Sequence, residues 1–216
     1  GGRAMDPNAR AKYLNGPETP LFDKGRNLYN LGPARAAVAK GQPLVVAEGY
    51  MDVIALAQAG LEHAVAPLGT AVTERQLQTL WRFADAPIVC LDGDRAGLAA
   101  ALRAAERALP LMRGPQSLRF AVLPDGEDPD SYLRRHGAEA LAGVLSKAHT
   151  LSQMIWRLET QGRRFDTPEA RAALASRLRN VTRLASDPDL RRSLWDQFRA
   201  LMEDLAPRPT RRAARG

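Results

Sequence analysis

Acidic residues follow short apolar runs of this chain, and their spacing is typical of a site for a hard metal ion. Glu48 follows the apolar run 44–47, and Asp92 and Asp94 follow the run 87–91. Donor sets made only of carboxylate oxygens favour Mg²⁺ or Mn²⁺ over softer metals. In proteins such ions assist reactions at phosphate groups, so the pattern indicates phosphoryl-transfer chemistry.

A further acidic stretch follows the apolar run 117–123, and it contains Asp125, Glu127, Asp128 and Asp130. Asp52 comes four residues after Glu48, within the first turn of a predicted helix. If the apolar runs are parallel strands, all these carboxylates meet at the carboxyl edge of one sheet, where open α/β sheets build their sites. Each motif alone also suits a helix cap or an ordinary turn. Their joint occurrence after three strands favours a metal site.

The elements that must position these residues alternate between strand and helix. Strands are predicted at 44–47, 63–68, 87–91 and 117–123, with helices of roughly ten residues between them. Short apolar strands alternating with helices are typical of an α/β fold, here a parallel sheet of about four strands flanked by helices. Small residues near the strand ends would allow a phosphate to approach the backbone closely: Gly49, Gly69, Thr70 and Gly93.

After residue 138 the pattern is helical, with no further strand expected. Helices are predicted over 138–147, 150–161, 168–185 and 187–205, three of them entered at Thr150, Thr167-Pro168 and Ser186-Asp187. Upstream, Thr73 and Gln76 have the spacing of a capping box at the start of a helix predicted over 73–84. We therefore expect four parts. They are a remnant of a basic N-terminal subdomain (1–43), a metal-binding subdomain (44–137), an all-helical subdomain (138–206) and a disordered basic tail (207–216).

Charge is distributed unevenly along the 216 residues, which carry a net charge of +7. Residues 1–43 hold seven Lys or Arg against three Asp or Glu, residues 44–149 hold ten against thirteen, and residues 150–216 hold fourteen against eight. This bias arises by chance on some surfaces, but it also suits a polyanion bound by the flanks of an acidic, cation-binding centre.

Composition excludes several protein classes. The single cysteine, Cys90, excludes a disulfide framework and a zinc ribbon built from this chain alone. No apolar run approaches the ~18 residues that a membrane span needs, so we expect no membrane insertion and a cytoplasmic location.

Four segments closely resemble the Toprim motifs of bacterial DnaG-type primases: Glu-Gly-Tyr-Met-Asp (48–52), Leu-Gly-Thr-Ala (68–71), Leu-Asp-Gly-Asp-Arg-Ala-Gly (91–97) and Leu-Pro-Asp-Gly-Glu-Asp-Pro-Asp (123–130). Segments 12–19 and 22–25 resemble the stretch that precedes Toprim in the same family. Topoisomerases, recombination proteins and some nucleases share Toprim. The combination of Lys-Tyr-Leu-Asn (12–15) with Glu-Gly-Tyr-Met-Asp is more specific to primases.

The resemblance implies roles for particular residues. It assigns catalytic metal ligation to Glu48, Asp92, Asp94, Asp128 and Asp130, with Asp52 close by. It leaves open whether Glu48 is a ligand or a general base. It matches a second set to the basic ridge that binds template and nucleotide phosphates: Arg3, Lys12, Tyr13, Asn15 and Lys24.

The resemblance also implies a function. A DnaG-type primase synthesises RNA primers at replication forks by Mg²⁺-dependent nucleotidyl transfer, for which Mn²⁺ is expected to substitute. Its partners would be a single-stranded DNA template, ribonucleoside triphosphates and the RNA–DNA hybrid product. The family's zinc-binding domain and helicase-binding domain are not expected in this chain, so we expect a catalytic core fragment with weak activity on its own.

Two other functions remain open from the sequence. One is a Toprim metal-dependent DNA nuclease, because the same ions serve both reactions. The other is a regulatory module that binds a metal–nucleotide complex without turnover. Cleavage of labelled DNA would identify the first, and tight nucleotide binding without turnover would identify the second.

Overall fold

Sixteen helices and strands are present in the residues that the structure, a computed structural model, describes. These are the backbone of 2–3 and 13–14, and all of 23–68 and 71–205. In chain order the elements are β1 (Gly2–Arg3), β2 (Tyr13–Leu14), β3 (Leu28–Tyr29), α1 (Leu31–Val38), β4 (Val45–Val46), α2 (Tyr50–Gln58), β5 (Ala64–Pro67), α3 (Glu74–Leu80), β6 (Ile88–Leu91), α4 (Arg95–Ala108), β7 (Arg119–Val122), α5 (Pro129–Ser146), β8 (His149–Thr150), α6 (Leu151–Thr160), α7 (Pro168–Thr182) and α8 (Pro188–Asp204).

The main sheet has the strand order β3-β5-β4-β6-β7-β8. Its four central strands are parallel, which confirms the predicted parallel sheet of about four strands. An antiparallel strand was not predicted at either edge: β3 pairs with β5, and β8 pairs with β7. The expectation that no strand follows residue 138 was therefore wrong. Each edge strand has two residues, which is too short to show the period-two alternation that identifies a strand.

Side chains of the strands alternate between two buried faces, as the pleat of a strand requires. Val46, Val89 and Phe120 belong to one core with α3, α4 and α6, and α7 and α8 extend this core. Val45 and Ile88 belong to the second core, which α2 and α5 cover. The short apolar runs of the sequence are therefore explained by burial on both faces. The predicted subdomain boundaries stay a prediction.

The helices begin where the cap residues of the sequence predicted. The Oγ1 atom of Thr73 accepts from the backbone N–H of Gln76 at 3.2 Å, and the Gln76 side chain accepts from the N–H of Thr73 at 2.9 Å. Thr150, Thr167 and Asp187 likewise cap α6, α7 and α8. These contacts satisfy N–H groups that a helix start would otherwise leave without partners.

Helix α1 was not predicted. Its segment contains Gly32 and Pro33, which are usually signs of a turn, but proline is tolerated in the first turn of a helix because those N–H groups have no helical partner. Asn30 precedes the helix in the left-handed region with φ 63°, and its side-chain amide donates to the carbonyl of Ala64 at 2.9 Å. The tertiary bond to β5 thus helps to place the start of this helix.

The chain's one cysteine lies in the middle of the main sheet. Cys90 is in β6 and is 1% exposed. Burial first, and then the charges of Asp52, Asp92 and Glu48, together raise the pKa of its thiol to about 12. In the described part of the chain, no helix combines the length and apolar character needed to cross a membrane.

Candidate active site

Acidic segments that are far apart in the chain meet at the carboxyl edge of the main sheet. Glu48 follows β4 and Asp92 follows β6, and these two strands are parallel neighbours. The backbone N–H of Asp92 donates to Oε1 of Glu48 at 3.3 Å. Parallel pairing of β6 with β7 brings the loop that contains Asp128 to the same edge. The predicted convergence of the three acidic segments is therefore present.

The carboxylate of Asp92 is partly buried and lies near unfavourable like charges at this edge. Its Oδ1 atom is buried and has no hydrogen-bond partner among the described residues. Burial first, and then the charges of Glu48, Asp52, Asp128 and Asp94, together raise the pKa of Asp92 to about 7. An unsatisfied buried oxygen among like charges is a suitable ligand for a cation.

Asp52 belongs to the same charge cluster although it lies in the first turn of α2. Burial and then the charge of Asp128 raise the pKa of Asp52 to about 6, with Asp130 and Glu48 contributing, while a hydrogen bond from the N–H of Gly49 at 3.2 Å opposes this change. The charged groups around Asp52 therefore come from the connection before α2 and from the start of α5. Asp52 reaches the site, as its spacing from Glu48 predicted.

Glu48 is subject to opposing effects. Partial desolvation of its carboxyl raises the pKa of Glu48, the hydrogen bond from Asp92 lowers it, and the charge of Asp94 raises it. Arg103 of α4 lowers it. Arg103 was not among the predicted site residues, and its position within a regular Ala- and Leu-rich helix gives no signal of this role.

Two of the predicted ligands also cap helices. Oδ1 of Asp94 accepts from the N–H of Gly97 at 2.8 Å at the start of α4. Oδ1 of Asp128 accepts from the N–H of Ser131 at 2.6 Å at the start of α5. The structural and metal-binding interpretations of these residues are compatible, because each cap uses one carboxylate oxygen and leaves the other for a ligand. Capping also restricts the side-chain rotamer, which helps to orient that second oxygen.

The remaining acidic residues of this loop have different partners. Oδ2 of Asp130 forms an ion pair with Arg134 at 2.8 Å, and Arg134 is largely exposed. Glu127 is buried, and it accepts from Oγ of Ser131 at 2.6 Å and from Arg135 at 2.5 Å. The hydrogen bond from Ser131 and the charge of Arg135 lower the pKa of Glu127. Glu127 therefore stabilises the loop through buried contacts, whereas Asp130 lies near the surface.

Glycine at position 93 is required for the acidic loops to touch. The N–H of Gly93 donates to the carbonyl of Glu127 at 2.9 Å. A Cβ atom at position 93 would lie 1.7 Å from the carbonyl oxygen of Pro124, a distance that no packing arrangement allows. The Asp-Gly-Asp motif thus combines two carboxylates with a close backbone approach between neighbouring loops.

The carboxylates gather at one edge without closing around a single point. Within residues 23–68 and 71–205, no three His, Cys, Asp or Glu side chains have the arrangement of a metal site. The like charges at this edge repel one another, and a cation bound among the carboxylates would offset that repulsion. The all-oxygen donor set and the partnerless oxygen of Asp92 fit a hard divalent ion.

The predicted phosphate-binding residues are only partly within the described chain. Lys24 lies in a turn, and its backbone carbonyl accepts a hydrogen bond from Nε2 of Gln76 at 3.0 Å. The backbone of Arg3 pairs with that of Tyr13 between β1 and β2. Gly49 is the N-cap of α2, next to Glu48. The predictions for Lys12, Asn15, Gly69 and Thr70 lie outside the described residues.

A cavity of about 300 Å³ adjoins the acidic edge beside Glu48. Its walls include Val72 and Leu91, and Arg103 and Arg107 of α4 line its polar side. Arg107 donates to the carbonyl of Val72 at 2.6 Å. Positive charge therefore lies immediately beside the acidic residues, on the helix that starts at Asp94.

Two family models match the chain. One, described as Toprim-like, matches residues 45–133, and the other, described as the N-terminal domain of the DNA primase catalytic core, matches residues 1–35. The DNA primase of Rickettsia conorii is 43% identical over 199 residues, which are 92% of this chain and 33% of that protein. The chain thus spans about one third of the length of the curated relatives it matches.

Solved structures of primase catalytic cores are also similar to this chain. The Escherichia coli primase catalytic core superposes with a TM-score of 0.81 at 42% identity, covering 93% of this chain and 64% of that chain. A DnaG primase catalytic domain bound to single-stranded DNA gives a TM-score of 0.79 at 42% identity, covering 94% and 64%.

Proposed function

We propose that this chain, which belongs to the bacterial DnaG-type primase family, forms part of a catalytic core that joins ribonucleotides into RNA primers on single-stranded DNA. The reactants would be ribonucleoside triphosphates paired with the template, and the product an RNA–DNA hybrid. Such an enzyme works in the cytoplasm, where the chromosome is replicated. The observation that carries the proposal is the partnerless buried oxygen of Asp92 within a cluster of carboxylates from three loops.

Mg²⁺, with Mn²⁺ as a substitute, is the ion that this donor set suits best. Glu48, Asp92 and Asp94 would hold one ion, and Asp128 and Asp130 would hold a second, with Asp52 in reach of both sets. When bound, such ions lower the pKa of an attacking hydroxyl and neutralise charge on phosphate oxygens.

The chain's own side chains would do the positioning. The caps made by Asp94 and Asp128 fix these carboxylates relative to α4 and α5, so that little reorganisation is needed when charge develops on a phosphate. Asp130 would exchange its exposed ion pair with Arg134 for a new partner, at a small cost because exposed ion pairs contribute little. Lys24 would hold a phosphate of the template or of a nucleotide as a point charge.

The test is a primer-synthesis assay with the whole protein that contains this chain, single-stranded DNA, four ribonucleoside triphosphates and Mg²⁺. We expect Asp92→Asn and Asp94→Ala each to abolish RNA synthesis while circular dichroism shows an unchanged fold. Asp125→Asn is the matched control, since Asp125 is an exposed carboxylate of the same edge and should leave activity unchanged. Near-normal synthesis by the Asp92 variant would refute the proposal.

Two further measurements separate this function from its alternatives. Electron paramagnetic resonance of Mn²⁺ should detect binding by the native protein and weaker binding by Asp92→Asn. Labelled DNA should remain intact in the presence of Mg²⁺, whereas a nuclease would cleave it. Nucleotide binding without any turnover, in the presence of template and metal, would instead favour a regulatory module.

A further inference from the structure

A second charged feature lies on α3 and the turn that follows it, outside the acidic edge. Five side chains line an open groove of about 430 Å³: Arg26, Arg75, Gln78, Thr79 and Arg82. Arg75, Gln78 and Thr79 are spaced at i, i+3 and i+4 and so share one side of α3, and Arg82 follows in the turn after the helix. The groove is therefore a continuous strip of three guanidinium groups with two neutral hydrogen-bonding side chains between them.

The positive charge of this strip is largely uncompensated. Arg75 lies 3.6 Å from Asp23, and both side chains are substantially exposed, at 65% and 43%. Such a surface pair contributes little and is easily exchanged for another anion. In the described part of the chain, Arg26 and Arg82 have no carboxylate within ion-pair distance. Glu74 neighbours Arg75 in sequence and so projects from a different side of α3.

Partly buried hydrogen bonds hold the strip together across 48 to 52 residues of chain. The side-chain amide of Gln76, which is fully buried, donates to the carbonyls of Lys24 at 3.0 Å and Asn27 at 2.8 Å. Oγ1 of Thr73 donates to the carbonyl of Gly25 at 2.5 Å. The turn that contains both Lys24 and Arg26 is thereby fixed on α3, so the groove continues from the segment that includes Lys24.

We propose that this groove binds the sugar–phosphate backbone of the single-stranded template where it continues from Lys24. The inference rests on the proposed function and adds a path for the strand. Guanidinium groups match the geometry of phosphate, and the exposed amide of Gln78 adds a neutral donor. Among the described residues, no aromatic side chain lines the groove, so it would hold the backbone without stacking on bases.

The test compares the native protein with the triple variant Arg26→Ala, Arg75→Ala, Arg82→Ala, again in the whole protein. Affinity for a mixed-sequence single strand is measured by fluorescence anisotropy between 50 and 200 mM salt. Each lost contact to a single strand reduces the slope of log affinity against log salt by about 0.7, so the slope should fall by about two. Affinity for an RNA–DNA hybrid should be unchanged. A loss confined to the hybrid would overturn the inference.

A matched control carries the same loss of charge elsewhere. Arg164, Arg192 and Arg199 are exposed arginines of the helical region, at 90%, 72% and 61% side-chain exposure. Replacing all three by alanine should leave the slope unchanged. An equal effect in both triple variants would show that only net charge matters, and the inference would fail.

Failure of this inference is distinguishable from failure of the proposed function. If Asp92→Asn abolishes primer synthesis while the groove variant keeps the native salt slope, the groove assignment is wrong and the function stands. If the native protein makes no primers but the groove variant loses its salt slope, the function is wrong and the strand-binding groove stands. Circular dichroism checks that both triple variants fold, which the high helix propensity of alanine favours.

Discussion

Replacing Asp92 by asparagine should make the metal-free protein more stable at neutral and alkaline pH while abolishing its activity. The carboxylate of Asp92 is partly buried, lacks a partner for Oδ1 and lies near four other carboxylates, so its ionised form is unfavourable in the folded state. Asparagine keeps the size and removes the charge. A catalytic requirement and a stability requirement are therefore opposed at one side chain.

The magnitude follows from the pKa of Asp92. In the folded chain it is about 7, against 3.8 for an ordinary aspartate. Each pH unit corresponds to about 1.4 kcal/mol, so full burial would give about 4 kcal/mol. Because the side chain is partly exposed, solvent screening reduces this to about 2 kcal/mol. The folded state holds the proton more tightly than the unfolded state, so the stability contributed by protonated Asp92 is fully present below pH ~4 and is lost as the pH rises to about 7.

The assay is urea unfolding in EDTA at several pH values between 4 and 8. We expect equal stabilities of the native protein and Asp92→Asn near pH 4, and an advantage of about 2 kcal/mol for the variant at pH 8. Mg²⁺ at a hundred times its dissociation constant adds about 2.7 kcal/mol to a protein that binds it. At saturating Mg²⁺ the native protein should therefore be more stable than Asp92→Asn, since the variant binds the ion more weakly.

Two outcomes would refute this reasoning. A stability difference between the native protein and Asp92→Asn that stays level between pH 4 and 8 in EDTA would show that the Asp92 carboxylate is not destabilised by its neighbours. A variant that is less stable than the native protein at pH 8 would show that the carboxylate is satisfied in the folded state. Asp125→Asn, at an exposed position of the same edge, should differ from the native protein by less than about 0.5 kcal/mol.

Three further substitutions test the framework of the site by urea unfolding. Gly93→Ala should destabilise the fold by about 3 kcal/mol or more and weaken Mn²⁺ binding, because the added Cβ would meet the carbonyl of Pro124 at 1.7 Å. Gln76→Leu should cost about 2–4 kcal/mol, since it removes three hydrogen bonds of a fully buried side chain. Arg135→Ala should cost about 1–3 kcal/mol, because it removes an ionic partner of the buried carboxylate of Glu127.

Each of these substitutions has a matched control. Gly143→Ala lies inside α5, where a Cβ meets nothing within 4 Å, and should stabilise slightly. Gln78→Leu lies on the exposed side of α3 and should be nearly neutral. Arg134→Ala removes a more exposed ion pair and should cost less than Arg135→Ala. If a control substitution loses as much stability as the test substitution it is matched to, the specific contact is not the cause of the loss.

Much of the parallel sheet could be predicted because burial on both faces leaves a direct mark on the sequence. The runs before Glu48 and Asp92 are uninterrupted by polar residues, and the caps Thr73 and Asp94 mark the helices that follow. The edge strands β3 and β8 leave no such mark, because two residues cannot show a period. Their pairing depends on neighbouring strands that are distant in sequence.

The site could be predicted at the level of segments but not of individual contacts. Glu127 and Asp128 are adjacent acidic residues, yet one is buried against Arg135 and the other caps α5. Which of them turns inward depends on the position of α5, which local sequence does not encode. Gln76 shows the same limit, since its capping role was predictable from Thr73, whereas its bonds to the 24–27 turn depend on tertiary packing.

The burial of Cys90 gives the protein an internal reporter. A thiol-specific reagent needs a thiolate that it can reach. The sulfur of Cys90 lies buried in β6, two residues before Asp92. Labelling should therefore proceed only through opening of the sheet beneath the acidic edge. The labelling rate of this native cysteine would measure how often the sheet around β6 opens. Its dependence on added ions or template would show whether they stabilise the closed sheet.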